Sequence, residues 1–134
     1  MDFKIEKFDK YSDSRGDLIV FLRDNDLDKK YKKFGQIYFV TFEKEGSVRG
    51  NHYHKQWREW FGIVSGRVEV YLEDVRTKER KELILNAKYK SYVRLEIGPY
   101  IAHAFRNTSK NASLLNYTNL PWKEGDTFPY EVIK

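Results

Sequence analysis

The 134-residue chain contains no cysteine. That excludes a disulfide scaffold, a thiolate metal site and cysteine nucleophile chemistry. No stretch approaches the ~20 consecutive apolar residues of a membrane-spanning helix. The opening Met1-Asp2-Phe3-Lys4-Ile5-Glu6 has no apolar run and reads as no secretory signal, so the expectation is a cytoplasmic protein with no membrane partner. Helical periodicity is nearly missing. Only Leu27, Tyr31 and Phe34 carry it, and they predict a short helix or a single turn. Internal repeats, low-complexity tracts and linkers are absent too, so residues 1–134 read as one domain.

Aromatic residues are plentiful at 16%, with 10 Tyr, 9 Phe and 3 Trp, a load that disordered chains lack and that implies a packed core. The net charge of +5 fits either a lysine-rich solvated surface or an anionic partner. The one basic cluster, Asp28-Lys29-Lys30-Tyr31-Lys32-Lys33, is short and interrupted. It argues for no nucleic acid and leaves a phosphorylated small molecule as the anionic candidate.

The dominant period is that of strands. Ile37 to Phe42 is β-branched and aromatic, and Arg67-Val68-Glu69-Val70-Tyr71-Leu72-Glu73 alternates polar with apolar. Trp60 to Val64, Arg80 to Leu85, Tyr92 to Ile97, Ala102 to Phe105 and Ser113 to Thr118 are further short strands. Ser65-Gly66, between two of these, reads as a tight hairpin turn. Many short strands with regular turns predict an all-β, antiparallel barrel or double-sheet roll. Residues 1–22 read as edge strands, added to the barrel or exchanged with a neighbouring subunit.

There are 3 histidines: His52, His54 and His103. On a strand His52 and His54 share a face, ~7 Å apart along the chain. Glu59 follows, with Gly46 before and Gly66 after; the spacing is G-x5-H-x-H-x4-E-x6-G. Three imidazoles and a carboxylate suit a divalent metal, and equally suit general acid–base work, because imidazole titrates near pH ~6.5.

With these residues assembled, the chain resembles the cupin superfamily, the antiparallel double-stranded β-helix or jelly-roll barrels. Gly46, His52, His54, Glu59 and Gly66 fit the first cupin motif, and Pro99, His103 and Asn107 resemble the second, with Tyr100 where glycine is usual. The resemblance narrows to cupins acting on nucleotide-linked sugars. Asp13-Ser14-Arg15-Gly16 and Val48-Arg49-Gly50-Asn51-His52-Tyr53 look like segments of the deoxythymidine-diphosphate-4-dehydrorhamnose 3,5-epimerases. Arg49-Gly50-Asn51-His52-Tyr53-His54-Lys55 is similar to the 4-keto-6-deoxyhexose 3,4-ketoisomerases. The stretch from His52 to Gly66 and the ending Asn119 to Phe128 resemble the C-terminal cupin of bifunctional capsule-sugar enzymes, which epimerises at C3.

The resemblance implies a substrate, a nucleoside-diphosphate-linked 4-keto-6-deoxy sugar. It also implies a reaction, epimerisation at C3 (and, in the widest reading, C5) through an enolate, in deoxysugar and surface-polysaccharide (O-antigen, lipopolysaccharide) biosynthesis. The alternatives are 3,4-ketoisomerisation of the same substrate class and a non-catalytic sugar-nucleotide-binding cupin. By resemblance His52 is the base, His103 polarises the C4 ketone, Arg49 and Arg15 bind sugar or diphosphate, and His54 and Trp122 line the substrate site. Tyr117 and Tyr130 are the candidates for the acid on the opposite face, and Asp126 or His54 for the group that orients His52. This mechanism requires no cofactor. The competing arrangement places a divalent Zn, Ni or Fe on His52, His54, Glu59 and His103, and then His52 has no lone pair left for a proton. The relatives also imply a homodimer.

Overall fold

Twelve strands run through the computed structural model, which describes all 134 residues. They are β1 (Phe3–Asp9), β2 (Tyr11–Asp13), β3 (Gly16–Leu18), β4 (Gln36–Phe42), β5 (Val48–Tyr53), β6 (Glu59–Ser65), β7 (Arg67–Asp74), β8 (Arg80–Asn86), β9 (Ser91–Ile97), β10 (Ile101–Asn107), β11 (Ala112–Thr118) and β12 (Phe128–Pro129). Ten of them form two five-stranded sheets, ordered β1-β9-β6-β11-β4 and β12-β5-β10-β7-β8, while β2 and β3 pair only with each other. Every pairing is antiparallel. From β4 to β7 the chain changes sheet at each step, and this winding makes the fold a jelly-roll cupin barrel.

The Ser65-Gly66 expectation is corrected here. β6 and β7 lie in different sheets, so Gly66 is a corner between sheets and not a hairpin turn. Its φ is +76°, and a Cβ there would come within 2.2 Å of the Asn111 carbonyl oxygen, so only glycine fits. The helix expected around Leu27, Tyr31 and Phe34 is likewise two short 3-10 turns, Asp24–Asp26 and Lys29–Tyr31. They lie on the outer face of the first sheet, where Tyr31 meets Trp60 and Phe34 meets Tyr117, with ring centroids 6.1 and 6.0 Å apart.

Strand alternation builds the core. Val68, Val70 and Leu72 of β7 are fully buried and pack with Leu95, Ile97, Leu114 and Phe42 between the sheets. Burying each such side chain contributes roughly 1.5–3 kcal/mol. On the outer face of the first sheet, Arg58 joins Asp2 (2.6 Å) and Glu96 (2.6 Å), and buried Arg94 joins Glu6 (3.2 Å) and Asp26 (3.1 Å). These pairs fasten residues 1–26 over the sheet.

Candidate functional site

The Arg49-Gly50-Asn51-His52 stretch owes its geometry to an irregularity. Arg49 pairs with Phe105, Gly50 with Ala104 and His52 with His103, which leaves Asn51 as one extra residue on β5. Residues three apart normally face opposite sides of a strand. The bulge resets the alternation, so Arg49 and His52 both turn inward. It needs two left-handed residues, Gly50 (φ +97°) and Asn51 (φ +55°). A Cβ on Gly50 would lie 2.6 Å from the His103 carbonyl oxygen. Asn51 tolerates its conformation because its amide is fully used: Oδ1 accepts from the Val132 and Ile133 N–H groups at 2.8 and 3.1 Å, and Nδ2 donates to the Ile133 carbonyl at 3.0 Å. The C-terminal strap thereby locks the bulge.

The three histidines converge as expected. Ring centroids are 5.0 Å apart for His52–His54, 4.8 Å for His52–His103 and 5.8 Å for His54–His103. Glu59 enters from β6 on the opposite sheet, with Oε2 3.7 Å from His54 Nε2 and 3.5 Å from His103 Nε2. Its other oxygen, Oε1, accepts from the Tyr38 hydroxyl at 3.2 Å and from Asn116 Nδ2 at 3.5 Å.

Hydrogen bonding decides the tautomers. His54 Nδ1 lies 2.6 Å from the Asp126 carbonyl and His103 Nδ1 lies 3.2 Å from the Ile101 carbonyl. A carbonyl only accepts, so both Nδ1 atoms carry hydrogen, and in neutral His103 the Nε2 atom presents a lone pair toward Glu59. Burial, with His103 and His54 as neighbours, lowers the His52 pKa to about 3, and burial next to His54 does the same to His103. Burial raises the Glu59 carboxyl above its ordinary range. Burial and the Glu59 charge also hold the Tyr38 phenol above its own. The His103 lone pair facing a carboxylate oxygen at 3.5 Å needs a positive centre beside it; a proton or a metal ion supplies it.

The set fits a divalent transition metal. One nitrogen from each of His52, His54 and His103 lies within 4.8 Å of the other two, and the outward nitrogens of His54 and His103 are held by carbonyls, as in ligating histidines. Glu59 stands beside two of the three.

The expected role of His103 is corrected by this geometry. A neutral imidazole whose only N–H is spent on Ile101 has no donor left to polarise a ketone. Asp126 orients His54 and not His52, and does so through its carbonyl; its carboxylate accepts from the Lys55 and Gln56 N–H groups at 2.9 and 3.2 Å. His52 has the Gly50 backbone as its partner.

Four other expected residues lie outside the cluster. Tyr117 follows inward Asn116, so it faces outward, packs on Trp60 and donates to the Lys33 carbonyl at 3.1 Å. Tyr130 sits on the outer face of the second sheet, hydrogen-bonded to Glu73 and Lys78. Trp122 is 61% exposed, its backbone N–H donates to Gln36 Oε1 at 2.8 Å, and it is not part of the cavity wall. Arg15 is exposed on the β2–β3 hairpin and paired with Asp13 at 2.6 Å.

The cavity between the sheets has a volume of about 340 Å³; its walls include Tyr38, Arg49, His52, Glu59 and His103, above Phe61, Phe105 and Leu114. Tyr38 and Asn116 are the residues that sequence reasoning missed. Their signal was alternation: Tyr38 shares its parity with Val40 and Phe42, and it pairs directly with Asn116.

The family model described as FdtA: WxcM-like, C-terminal matches residues 1–131. The chain belongs to this family. No curated protein matches the chain. A 3,4-ketoisomerase from Helicobacter canadensis is 30% identical with a TM-score of 0.74, over 96% of this chain and 90% of that one. A dTDP sugar isomerase from Desulfovibrio desulfuricans G20 is 23% identical with a TM-score of 0.82, over 97% and 84%. The fold is also shared with ChmJ, a 3'-monoepimerase from Streptomyces bikiniensis in complex with dTDP-quinovose, at 15% identity and a TM-score of 0.81, over 94% and 68%. The WxcM-like assignment agrees with the cupin resemblance in the sequence. As for the membrane, no helix is long and apolar enough to cross one.

Proposed function

We propose that the protein is an isomerase of nucleoside-diphosphate-linked 4-keto-6-deoxyhexoses and that it epimerises C3 through an enolate. The observation that carries this reading is the joint convergence of His52, His103, Glu59 and Arg49 on one cavity between the sheets. Carbon next to a ketone is acidic because its anion is an enolate, so the enzyme needs a base at C3 and positive charge at the C4 oxygen. His52 supplies the base: it is neutral at working pH and faces the cavity. Arg49 supplies the charge and the hydrogen bonds to the oxyanion or a phosphate. A divalent ion on His52, His54 and His103 would supply Lewis-acid polarisation of the ketone instead. These two uses of His52 exclude each other, because a coordinated nitrogen has no lone pair for a proton.

Ketoisomerisation is the second reading, favoured by the 30% identical neighbour that is a 3,4-ketoisomerase. The test is incubation with TDP-4-keto-6-deoxyglucose in deuterated water, followed by NMR. Deuterium at C3 with inverted configuration supports the epimerase, and a 3-keto product supports the ketoisomerase. Absence of any exchange rejects both and leaves a binding module.

The protein is further proposed to be a homodimer that exchanges the β2–β3 hairpin. An isolated two-stranded hairpin is marginal in water, yet all six of its strand residues are exposed, with Tyr11 and Leu18 at 61% each. The edge strand β4 offers exposed Ile37 (56%) and Phe39 (72%) as an unpaired flank. Light scattering at micromolar concentration should give twice the chain mass; a monomer rejects the exchange.

A further inference from the structure

Asn51 is not among the cavity walls, yet the inward aim of His52 depends on it. In a regular strand, inward Arg49 would put Asn51 inward and His52 outward, because successive side chains alternate. The extra residue at Asn51 reverses that parity. Its φ of +55° is uncommon for a residue with a Cβ and persists only with outside support. The support comes from one segment, Tyr130 to Ile133. The Tyr130 N–H donates to the Asn51 carbonyl at 2.9 Å, and the Asn51 amide binds the Val132 and Ile133 backbone through three further bonds. This strap is itself fastened to the second sheet. Arg80 of β8 donates to the Val132 carbonyl at 3.1 Å, and Arg106 of β10 to the Lys134 backbone oxygen at 2.8 Å. The Val132 side chain, 6% exposed, packs with Ala102 and Ala104, the two residues that flank His103 on β10. One strap therefore backs both histidine strands from outside the barrel.

We propose that Asn51 is a positioning residue for His52: by clamping the C-terminal strap, it holds the bulge in the register that points the imidazole at C3 of the sugar. The role rests on the isomerase reading, and it concerns the step that epimerisation and ketoisomerisation share. In that step the C3–H bond breaks, its electron pair enters the enolate, and the proton goes to His52, which exchanges it with water. Arg49 depends less on the clamp, because its own ladder partner, Phe105, precedes the bulge along the pairing. Loss of the clamp should therefore slow proton removal while nucleotide binding persists. A misplacement of about 1 Å is enough to cost ~100-fold in rate.

The experiment follows loss of the C3 hydrogen from saturating TDP-4-keto-6-deoxyglucose in deuterated water by NMR, and TDP affinity by calorimetry, for wild type, Asn51→Gly and Asn51→Asp. Rates are taken per TDP-binding site, so unfolded protein does not count. Asn51→Gly accepts the positive φ but removes all three side-chain bonds. It should lose the C3 hydrogen ~10–100-fold more slowly, with TDP affinity within about 2-fold of wild type, the split expected when the reacting geometry and not ground-state binding is lost. Asn51→Asp keeps the two bonds accepted from Val132 and Ile133 and should be slowed less than about 5-fold. Asn51→Gly at the wild-type rate overturns the proposal. So does Asn51→Asp as slow as Asn51→Gly, since the bonds to the strap would then not set the rate. A fall in TDP affinity in step with the rate also overturns it, because that marks a general loosening of the site. Should Asn51→Gly not fold, Val132→Ala decides from the strap side, with β5 untouched. A rate at least ~3-fold slower at unchanged TDP affinity then supports the clamp, and the wild-type rate overturns it. A wild-type protein that leaves the C3 hydrogen in place overturns the isomerase reading itself, an outcome distinct from all the others.

Discussion

Two levels of the barrel interior are built from the same strands with opposite chemistry. At the mouth, β6 presents Glu59, β10 presents His103, β11 presents Asn116 and β4 presents Tyr38. One inward position deeper, the same strands present Phe61, Phe105, Leu114 and Val40. The step is two residues, or ~7 Å. Phe61 packs on His103 and Phe105, with centroids 5.7 and 4.9 Å apart, and so forms the boundary. The deep level is a close-packed core whose loss is felt as stability. The mouth holds imidazoles and a carboxylate whose burial costs stability. Substitutions at the two levels should therefore separate activity from stability.

The largest effect belongs to His52. His52→Asn should lower kcat by ~10²–10⁴, the usual loss of a general base, while the urea midpoint stays within about 0.5 kcal/mol of wild type, as for a change that removes no core packing. A stability loss as large as a core truncation would break the comparison. Arg49→Ala should appear mainly in KM, because the guanidinium binds in the ground state as well as the transition state.

The deep level should show the reverse. Phe61→Ala should cost about 3–5 kcal/mol of stability, the usual range for a large buried aromatic, because Phe61 is 3% exposed and packs on both neighbours. Denaturant unfolding measures it. A cost below about 1 kcal/mol would mean that the floor under the histidines is loosely packed.

Much of this arrangement was legible in the sequence, for a physical reason. Alternation reports which face a residue occupies, so Arg67 to Glu73 was read as a strand and His-x-His as one face. Alternation does not report depth or register. The family resemblance offers Tyr117 and Tyr130 as the opposite-face acid, yet the neighbour of Tyr117, Asn116, faces inward, which sends Tyr117 out. Tyr38, far off in sequence, is brought to Glu59 only by the β4–β11 pairing. The bulge at Asn51 was invisible because its cause is three-dimensional: the Ile133 and Val132 backbone that its amide holds. Ser65-Gly66 was misread because a glycine with positive φ serves a hairpin and a sheet corner equally.

The pH response should sharpen the contrast. His103 is 2% exposed with its pKa lowered to about 3, against ~6.5 in an unfolded chain. The unfolded state binds the proton first, so this contribution is complete above pH ~6.5 and is lost as the pH falls toward 3, at up to about 1.4 kcal/mol per pH unit. His52 acts in the same direction. Glu59, with its raised pKa, acts in the opposite direction and offsets part of the loss. Urea midpoints of metal-free protein at pH 7, 6 and 5 should fall in that order. Phe61→Ala should keep the same slope from a lower start, since it changes no titrating group.

Glu59 gives the smallest expected effect and separates the two uses of His52. With His52 as a free base, exhaustive chelation should leave the rate unchanged. Glu59→Gln keeps an acceptor for the Tyr38 hydroxyl but removes the carboxylate 3.5 Å from His103 and 3.7 Å from His54. Removing negative charge makes imidazoles less basic, so the acid limb of the rate profile should move to lower pH, by about a unit at most. With a metal at work the pattern differs in kind. Chelation would abolish turnover, added Zn, Ni or Fe would restore it, and Glu59→Gln would lower metal occupancy and rate together, since a carboxylate beside the ion helps to neutralise its charge. Rate profiles and elemental analysis on the same preparations decide between them. Full activity in protein shown to be metal-free leaves the lone pair of His52 as the acceptor of the C3 proton, whereas strict parallelism between metal content and rate assigns the three imidazoles to an ion.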